Sequence, residues 1–437
     1  MNWLNFFDTK TELKHSFGRG INANLSKDEE NLFNKSYEAF EAKDILNAYE
    51  YFFKSLENFS NSTSNKNIIL SREIDKLNFE IFQGSARITG VITKENLQAE
   101  AIITKKSSAN VALKRLLLER NYQLTYSYYF SDDEHIKLKL FHDNITMNTQ
   151  KVFFPIREIV LNADFDKEYI KSEFLEIPIE DIEHLKPIND DEIRIKYDFL
   201  HSWIDEIRAK IASLPSNDNA GMQSFILLYL IFKMDYLIAP KYKIFQQSSK
   251  KVQEYFSDEN LSVESKNEEL SNYIDELGKI DFEEFKTNFY DAKYTFNPTE
   301  KASHEEIEIF ITESLSKTRW YKNNRYNQII PTMYKYIALY LLYNYGLHPV
   351  TKRLLHTLIE IQNPDFFKTL GYDTLYTKES STFSKRAIVS KIEEIIAPYQ
   401  NRYKLLKPFG DKLNFTSLNE FSNSFYLQLK NLNFEEI

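Results

Sequence analysis

Residues 77–104, LNFEIFQGSARITGVITKENLQAEAIIT, decide what kind of fold this chain adopts. Leu77-Asn-Phe-Glu-Ile-Phe alternates apolar and polar residues. Ala86-Arg-Ile-Thr-Gly-Val-Ile-Thr and Leu97-Gln-Ala-Glu-Ala-Ile-Ile-Thr alternate or run β-branched. A period of two places successive side chains on opposite faces of a strand, so each segment can bury one face and wet the other. Gln83-Gly84-Ser85 and Lys94-Glu95-Asn96 supply the turns between them.

Outward from this stretch the period changes. Residues 108–121 have helical spacing, with Val111, Leu113, Leu116 and Leu117 expected inward. Residues 122–130 and 135–141 then read as a hairpin across Ser131-Asp-Asp-Glu, and a last helix holds 156–163 or continues past Asp166. Upstream, residues 28–59 hold two amphipathic helical pieces, one carrying Leu32, Phe33, Tyr37 and Phe40, the other Ile45, Ala48, Phe52 and Leu56. The second piece resembles the second helix of a tetratricopeptide repeat. No further copy follows, and a stable stack needs at least about three repeats, so a lone helical hairpin is expected.

Helix, strands, helix, strands, helix is an order that resembles the type III secretion chaperone-like fold, shared with proteins grouped as bacterial sensory-transduction regulators. The residues that carry the resemblance are Leu116-Leu-Leu-Glu-Arg-Asn121, the hairpin 122–142 and Ala163-Asp-Phe-Asp166. It spans residues 28–175 and rests on topology and spacing. It implies a small, usually dimeric module that binds other proteins and catalyses nothing. The long C-terminal extension departs from that pattern.

Residues 177–191 are acidic and contain Pro178 and Pro187, which marks a boundary. Beyond it the chain reads as helical. Ile193, Tyr197, Leu200, Ile204, Ile207, Ile211 and Leu214 alternate steps of four and three, a continuous apolar seam ended by Pro215. Residues 222–239 and 331–345 are apolar nearly all round, as buried central helices are. Within and just beyond them, Phe225–Pro240 and Tyr334–Pro349 have equal length and both end at proline, which raises the question of an internal duplication. Ser303-His-Glu-Glu is a capping box and Pro349 opens a further helix with Leu354, Leu355, Leu358 and Ile361 inward. Exposed loops are expected at 246–269, 287–302 and 372–384. The fold class is therefore an α+β N-terminal domain, an antiparallel sheet with flanking helices, followed by a mainly α-helical C-terminal domain. The expected divisions are an arm at 1–27, the α+β domain at 28–176, a linker at 177–191 and the helical domain at 192–437.

Composition narrows the chemistry. The chain has 437 residues, a net charge of −9, no cysteine and nine glycines. An acidic balance argues against general nucleic-acid binding, which needs a Lys/Arg surplus. Lack of cysteine removes disulfides, thiolate metal sites and cysteine nucleophiles. Glycine at about 2%, against roughly 7% on average, leaves no clustered turn able to cradle phosphate on backbone N–H groups. Aromatic residues reach 15%, but an AT-rich coding bias explains this, so a single Tyr or Phe is not read as a binding cage. Residues 1–13 lack the apolar core of a secretory signal, and the most apolar run, 225–232, is too short for a membrane span of roughly 17–25 residues. The expected location is the cytoplasm, without membrane insertion.

The dispersed histidines offer little. His304 and Glu308 are four apart, yet no second ligand pair accompanies them, and a solvated helix start is expected. His348 and His356 are expected to pack or to be solvated. Asp190…Glu192-Ile-Arg-Ile-Lys196 imitates part of a nuclease pattern that needs Glu-x-Lys on a strand, but Glu192 opens a helix. No catalytic residue, metal ligand or cofactor is therefore assigned. The polar cluster that stands out is Lys317, Arg319, Trp320, Tyr321, Lys322, Arg325 and Tyr326. Guanidinium groups with aromatic planes can grip phosphate and stack bases, or form a protein hot spot. They can equally close a helix whose C-terminal dipole favours cations. Basic spots at 351–353, 384–386 and 402–404 would strengthen a phosphate site if they converged on it. The expected function is a non-enzymatic, chaperone- or adaptor-like interaction with another protein, with self-association open. Two alternatives stand beside it: a nucleic-acid or phosphate-ligand protein using the cluster, and an enzyme whose helical site leaves no local motif.

Overall fold

The alternating segments become neighbouring strands in the computed structural model of the chain, which describes residues 15–19, 26–57, 66–215 and 219–436. Helices α1 (Lys27–Glu41) and α2 (Ile45–Ser55) come first. The chain then forms β1 (Ile68–Arg72), β2 (Leu77–Gln83), β3 (Ala86–Ile92) and β4 (Asn96–Lys105), an antiparallel meander. Helix α3 (Val111–Arg120) leads to β5 (Ser127–Ser131) and β6 (His135–Asp143), and α4 (Thr149–Glu173) follows. The sheet has six strands in the order β1-β2-β3-β4-β6-β5, so the last hairpin is inverted and β5 is an edge. Strand β1 has no clear period in the sequence, because only Ile68 of its five residues is fully buried.

One face of the sheet is covered. Leu77, Phe79 and Ile81, Ala86, Ile88 and Ile92, and Leu97, Ala99 and Ala101 are buried in a core shared with α2 and α4. Phe79 stacks on Phe53 of α2 with ring centroids 4.5 Å apart. The same ring occupies the space above Gly90, where a Cβ would fall 2.2 Å from Phe79 Cζ. Glycine inside this strand is a packing requirement.

Two local expectations are corrected here. Val111 is 66% exposed, because α3 begins at that residue, while Leu113 and Leu117 are buried as expected. Helix α4 starts earlier than expected, at Thr149 behind the cap residue Asn148, and runs 25 residues with Pro155 inside it. Proline there removes one backbone N–H donor, and burial of Val152, Ile156, Ile159, Val160 and Ala163 offsets the loss.

Residues 177–191 lie strapped along the sheet. Ile177 and Ile179 are buried in its core. Thr104 Oγ1 donates to Pro178 O at 2.7 Å, and Glu180 N donates to Ile103 O at 3.0 Å. The segment 287–302, expected as an exposed loop, returns to this half of the molecule. Tyr290 and Phe296 are buried in the sheet's core, and Gln83 Oε1 accepts from the N–H groups of Thr295 and Phe296 at 2.8 and 2.9 Å. Its polar sequence conceals two aromatic anchors.

The rest is helical: α5 (Asp190–Ala212), α6 (Ala220–Lys233), α7 (Tyr242–Ser257), α8 (Val263–Leu277), α9 (Phe282–Lys286) and α10 (His304–Asn323). They are followed by α11 (Ile330–Asn344), α12 (Pro349–Gln362), α13 (Pro364–Thr369), the small hairpin β7 (Tyr376–Thr377) and β8 (Thr382–Phe383), α14 (Lys385–Ile396) and α15 (Leu418–Leu429). Residues 246–269, expected as a loop, are largely α7 and the start of α8, whose exposed faces are polar enough to hide the period. The seam on α5 buries Ile193, Leu200, Ile204 and Ile207, together with Trp203. Helices α6 and α11 pack against each other in the core. Ala220–Ile238 is long and apolar enough to cross a membrane, but 83% of that window is buried inside the fold, as for a core helix. Of the N-terminal arm, residues 15–19 dock on this half. Arg19 Nη2 lies 2.6 Å from Asp235 and its guanidinium sits over the Tyr343 ring at 4.0 Å. The architecture is thus an α+β unit with an antiparallel sheet, followed by a mainly helical region.

Candidate functional site

The cluster singled out in the sequence occupies the C-terminal end of α10. The helix begins with the expected capping box at Ser303 and Glu306, and ends at Asn324 before Arg325 in the left-handed region, φ 65°. Trp320 is 55% exposed and stacks on Tyr326 at 6.3 Å between centroids, while Tyr321 and Tyr326 are half-buried. Burial, and then Tyr326, raise the Tyr321 hydroxyl above its ordinary pKa. Lys317 Nζ lies 5.0 Å above the Phe225 ring and Lys322 is 3.4 Å from Glu420. Arg319 and Arg325 are exposed and make no ion pair among the described residues.

The other basic spots do not all converge there. Arg402 is held by Glu30 and Glu436 at 2.7 and 2.6 Å. It sits beside Tyr403, whose ring packs on Phe434, and Phe434 in turn packs on His304 at the opposite end of α10. Twenty residues of helix at about 1.5 Å each separate the two ends by about 30 Å. Lys352 is partly buried, which lowers its amine to about 8. Only the 384–386 spot shares the Arg319 end, through Lys385 over Phe415 and Phe415 against Phe421, next to Glu420.

Several single-residue expectations are settled as structure. His304, expected to be solvated, is half-buried, with Nε2 3.1 Å from Lys430 O, and burial lowers its pKa. His348 Nδ1 accepts from Val350 N at 3.2 Å as a helix cap, and burial lowers it to about 3. His356 lies between Tyr236 and Glu360 at 2.9 and 3.1 Å. Glu192 pairs with Lys196 along α5 at 2.7 Å, so the nuclease-like spacing is a helical ion pair. Among the described residues no group of three His, Cys, Asp or Glu side chains could hold a metal ion.

The structure adds a cluster that no motif revealed. Asp164 and Glu168 lie on one face of α4 where it meets Lys241 and Tyr242 at the start of α7. Ser85 N and Oγ donate to Asp164 at 2.7 and 3.0 Å, and a Cβ at Gly84 (φ 52°) would fall 2.2 Å from Asp164 Oδ1. The Tyr290 hydroxyl donates to Glu168. Burial, then Glu168, pushes the Asp164 carboxyl up to about 7, and burial also raises Glu168. Burial lowers Lys167 to about 8, although its amine donates to Ser85 O and Asp181 O at 3.2 and 3.1 Å. Both carboxylates accept hydrogen bonds from their own surroundings, so this cluster is a polar seam between the halves and not an open site. The only trace in the sequence is the Asp164–Glu168 spacing of four.

The open recess lies on the uncovered face of the sheet. Strand registers place Ile69, Glu80, Thr89, Glu100, Lys139 and Tyr128 in one row across all the strands. Ser71, Asn78, Val91, Gln98 and Phe141 form the next row. Together they floor a trough of about 520 Å³. Its charges are already matched. Glu100 lies 2.9 Å from Lys137 and 3.6 Å from Lys139, and Glu80 lies 3.0 Å from Arg87. Ile69, Val91, Tyr128, Phe130 and Phe141 on the same side are between 37% and 55% exposed. An antiparallel sheet tolerates one wet face, but that face normally carries polar side chains.

The β5 edge beside the trough is capped at Ser127 and Tyr129. Asn121 Oδ1 accepts from Tyr129 N at 2.6 Å, and the Glu158 carboxylate accepts from the N–H groups of Thr125, Tyr126 and Ser127 at 2.9, 2.8 and 2.8 Å. Burial alone would raise Glu158, but these N–H donors bring it below its ordinary pKa. Capping the outward donors of an edge strand blocks strand addition there. No protein-family model matches the sequence, and no curated protein matches it.

Proposed function

We propose that this chain is a non-enzymatic interaction protein, and that its partner is another protein seated on the open face of the sheet. The observation that carries the reading is the set of large apolar side chains exposed around an internally neutralised trough. Phosphate would find no surplus cation there, whereas an amphipathic protein surface could bury Val91, Tyr128, Phe130 and Phe141 without stranding a charge. A helix laid across them would supply the second covering layer that the sheet lacks. The resemblance to the secretion chaperone-like fold points the same way, because its members bind other proteins.

A photo-crosslinking side chain placed at Phe141, in cells of the native host, tests this. The expected result is one dominant crosslinked protein, lost when Val91→Asp is added, and no such product from the same probe at Tyr122, which is 93% exposed elsewhere on the unit. Crosslinking only to a second copy of the chain, or equal labelling from Tyr122, overturns the reading.

The exposed Arg319, Trp320, Lys322 and Arg325 favour a second reading, a nucleic-acid or phosphate contact at the end of α10. Single-stranded oligonucleotide binding that falls with salt and disappears in the Arg319→Ala, Lys322→Ala, Arg325→Ala triple variant would support it. Wild type and variant that are equally indifferent at low salt would end it.

A further inference from the structure

The most unusual charges in the helical half lie where α5, α6 and α11 meet. Lys233 is 3% exposed, and its Nζ sits 3.7 Å above the Trp203 ring and 5.5 Å from the Tyr229 ring. Among the described residues it has no hydrogen bond to an acceptor and no ion pair. The Tyr229 hydroxyl, one helical turn away, is buried and also without a partner. Lys335 of α11 acts on Lys233, and Lys210 of α5, which donates to Thr332 Oγ1 one turn before Lys335, acts on Lys335. Glu206 is the one carboxylate that acts on all three amines and on Tyr229, yet it pairs with none of them within 4.0 Å. Beyond it, Asp365 and Lys378 lie 3.9 Å apart and largely cancel.

An unpaired ammonium is among the costliest groups to bury, and a neighbouring cation raises that cost. Burial first, and then Lys335, hold Lys233 well below its ordinary pKa, and burial lowers Lys335 and Lys210 as well. One buried amine without an acceptor and two partly buried ones around a single unpaired carboxylate leave a positive spot that no described side chain neutralises. We infer that α5, α6 and α11 build a site for a small oxyanion, with Lys210, Lys233 and Lys335 as its cationic ligands and the Tyr229 hydroxyl as a further donor. Phosphate and carboxylate share the required chemistry, a compact group with several acceptor oxygens. The site is distinct from the sheet face and does not depend on what docks there.

Melting of the full chain with added inorganic phosphate tests the inference, with malonate as the carboxylate probe and potassium chloride at equal ionic strength as the control. A bound anion raises the melting temperature in a saturable way. The expected result is such a rise with phosphate or malonate and none with chloride, and the more effective probe names the ligand class. Lys233→Met and Lys335→Met should each abolish the rise, while Lys322→Met should keep it. Without anion, Lys233→Met should melt a few degrees above wild type, because an apolar side chain of similar length replaces an uncompensated cation. Should that variant not fold, Lys335→Met, at a half-buried position, carries the same test. The inference is overturned if neither anion gives a saturable rise, if the rise survives in the lysine variants, or if Lys233→Met folds and melts below wild type.

Discussion

On the open face of the sheet, Glu100 has Lys137 and Lys139 beside it and Glu80 has Arg87, all in contact with water. In the helical half, Lys233 lies beneath Trp203 with no acceptor among the described residues, and Glu206 stays beyond ion-pair distance. Exposed, mutually screened pairs contribute little to stability, so the sheet face is electrostatically quiet and its apolar residues are what set it apart. A buried, unmatched amine is a standing cost to the fold. The two regions teach that departures from the ordinary run in opposite directions, exposed hydrocarbon in one and buried charge in the other.

The halves are nonetheless joined, because Tyr242, Tyr290 and Phe296 enter the core of the sheet, and the largest expected effect tests that junction. Phe296 leaves the helical half, crosses to the α+β half and is 3% exposed there. Phe296→Ala should destabilise the protein by about 3–5 kcal/mol, the range for truncating a buried Phe. The loss should appear in urea unfolding followed by Trp203 fluorescence, with Trp3 and Trp320 replaced by phenylalanine, although Trp203 lies in the other core. An unchanged Trp203 transition, with loss of hydrogen-exchange protection confined to the strands, would show that the halves unfold separately.

Gly90→Ala probes the covered face of the sheet alone. Its Cβ would fall 2.2 Å from Phe79, whose ring is already pressed against Phe53. Over-packing of this kind costs about 1–3 kcal/mol. Gly90→Ala combined with Phe79→Leu should recover part of that in the urea midpoint. Recovery of nothing would mean that strand backbone, and not the Phe79 ring, resists the new methyl.

The seam between the halves carries a pH dependence. Burial, then Glu168, lifts the Asp164 carboxyl to about 7, above its unfolded value near 3.9. A carboxyl whose folded pKa is raised favours the fold when protonated. Its contribution is therefore whole below about pH 4 and is lost as the pH rises through 7. Asp164→Asn keeps an acceptor for Ser85 N and Oγ without the charge. It should be more stable than wild type by about 1–2 kcal/mol at pH 8, allowing for coupling to Glu168, and similar to it at pH 4.5. Parallel stability profiles for the two proteins across that window would discard the idea.

What was readable in advance follows from how each feature is encoded. Strands β2, β3 and β4 bury one face and wet the other, so their period survives in the sequence. The α5 seam and the cap at Ser303 are equally local. Strand β1 is short and barely half-buried, and α7 and α8 carry polar faces, so neither rises above the surrounding polar residues. The return of Tyr290 and Phe296 to the sheet is a tertiary contact with no local period at all. For the candidate sites, alternation tells which residues share a face, but nothing in it says which face the helices cover. Lys233 follows Phe232 in a run that reads as core, and a lone lysine there looks like the solvated end of a helix until α5 and α11 close over it. The basic cluster on α10 was visible because its residues are contiguous. Whether distant basic spots joined it depended on the direction of α10, which spacing does not encode.

The smallest expected effect on stability belongs to the open face, and there the contrast with the buried core is sharpest. Phe141 is 55% exposed on β6, opposite Gln98, with its ring free of the covered side of the sheet. Phe141→Asp removes no buried contact and should change the urea midpoint by an amount equivalent to less than about 0.5 kcal/mol. Phe296→Ala, also one phenylalanine lost, should cost several-fold more. The aspartate would nevertheless strand a charge beneath any protein that covers Val91 and Tyr128, so complex formation should fall by at least about tenfold, roughly 1.4 kcal/mol. An intact fold with lost association is the signature of a surface kept apolar for a partner. An equally intact fold with undiminished association would mean that the hydrocarbon on this face is incidental.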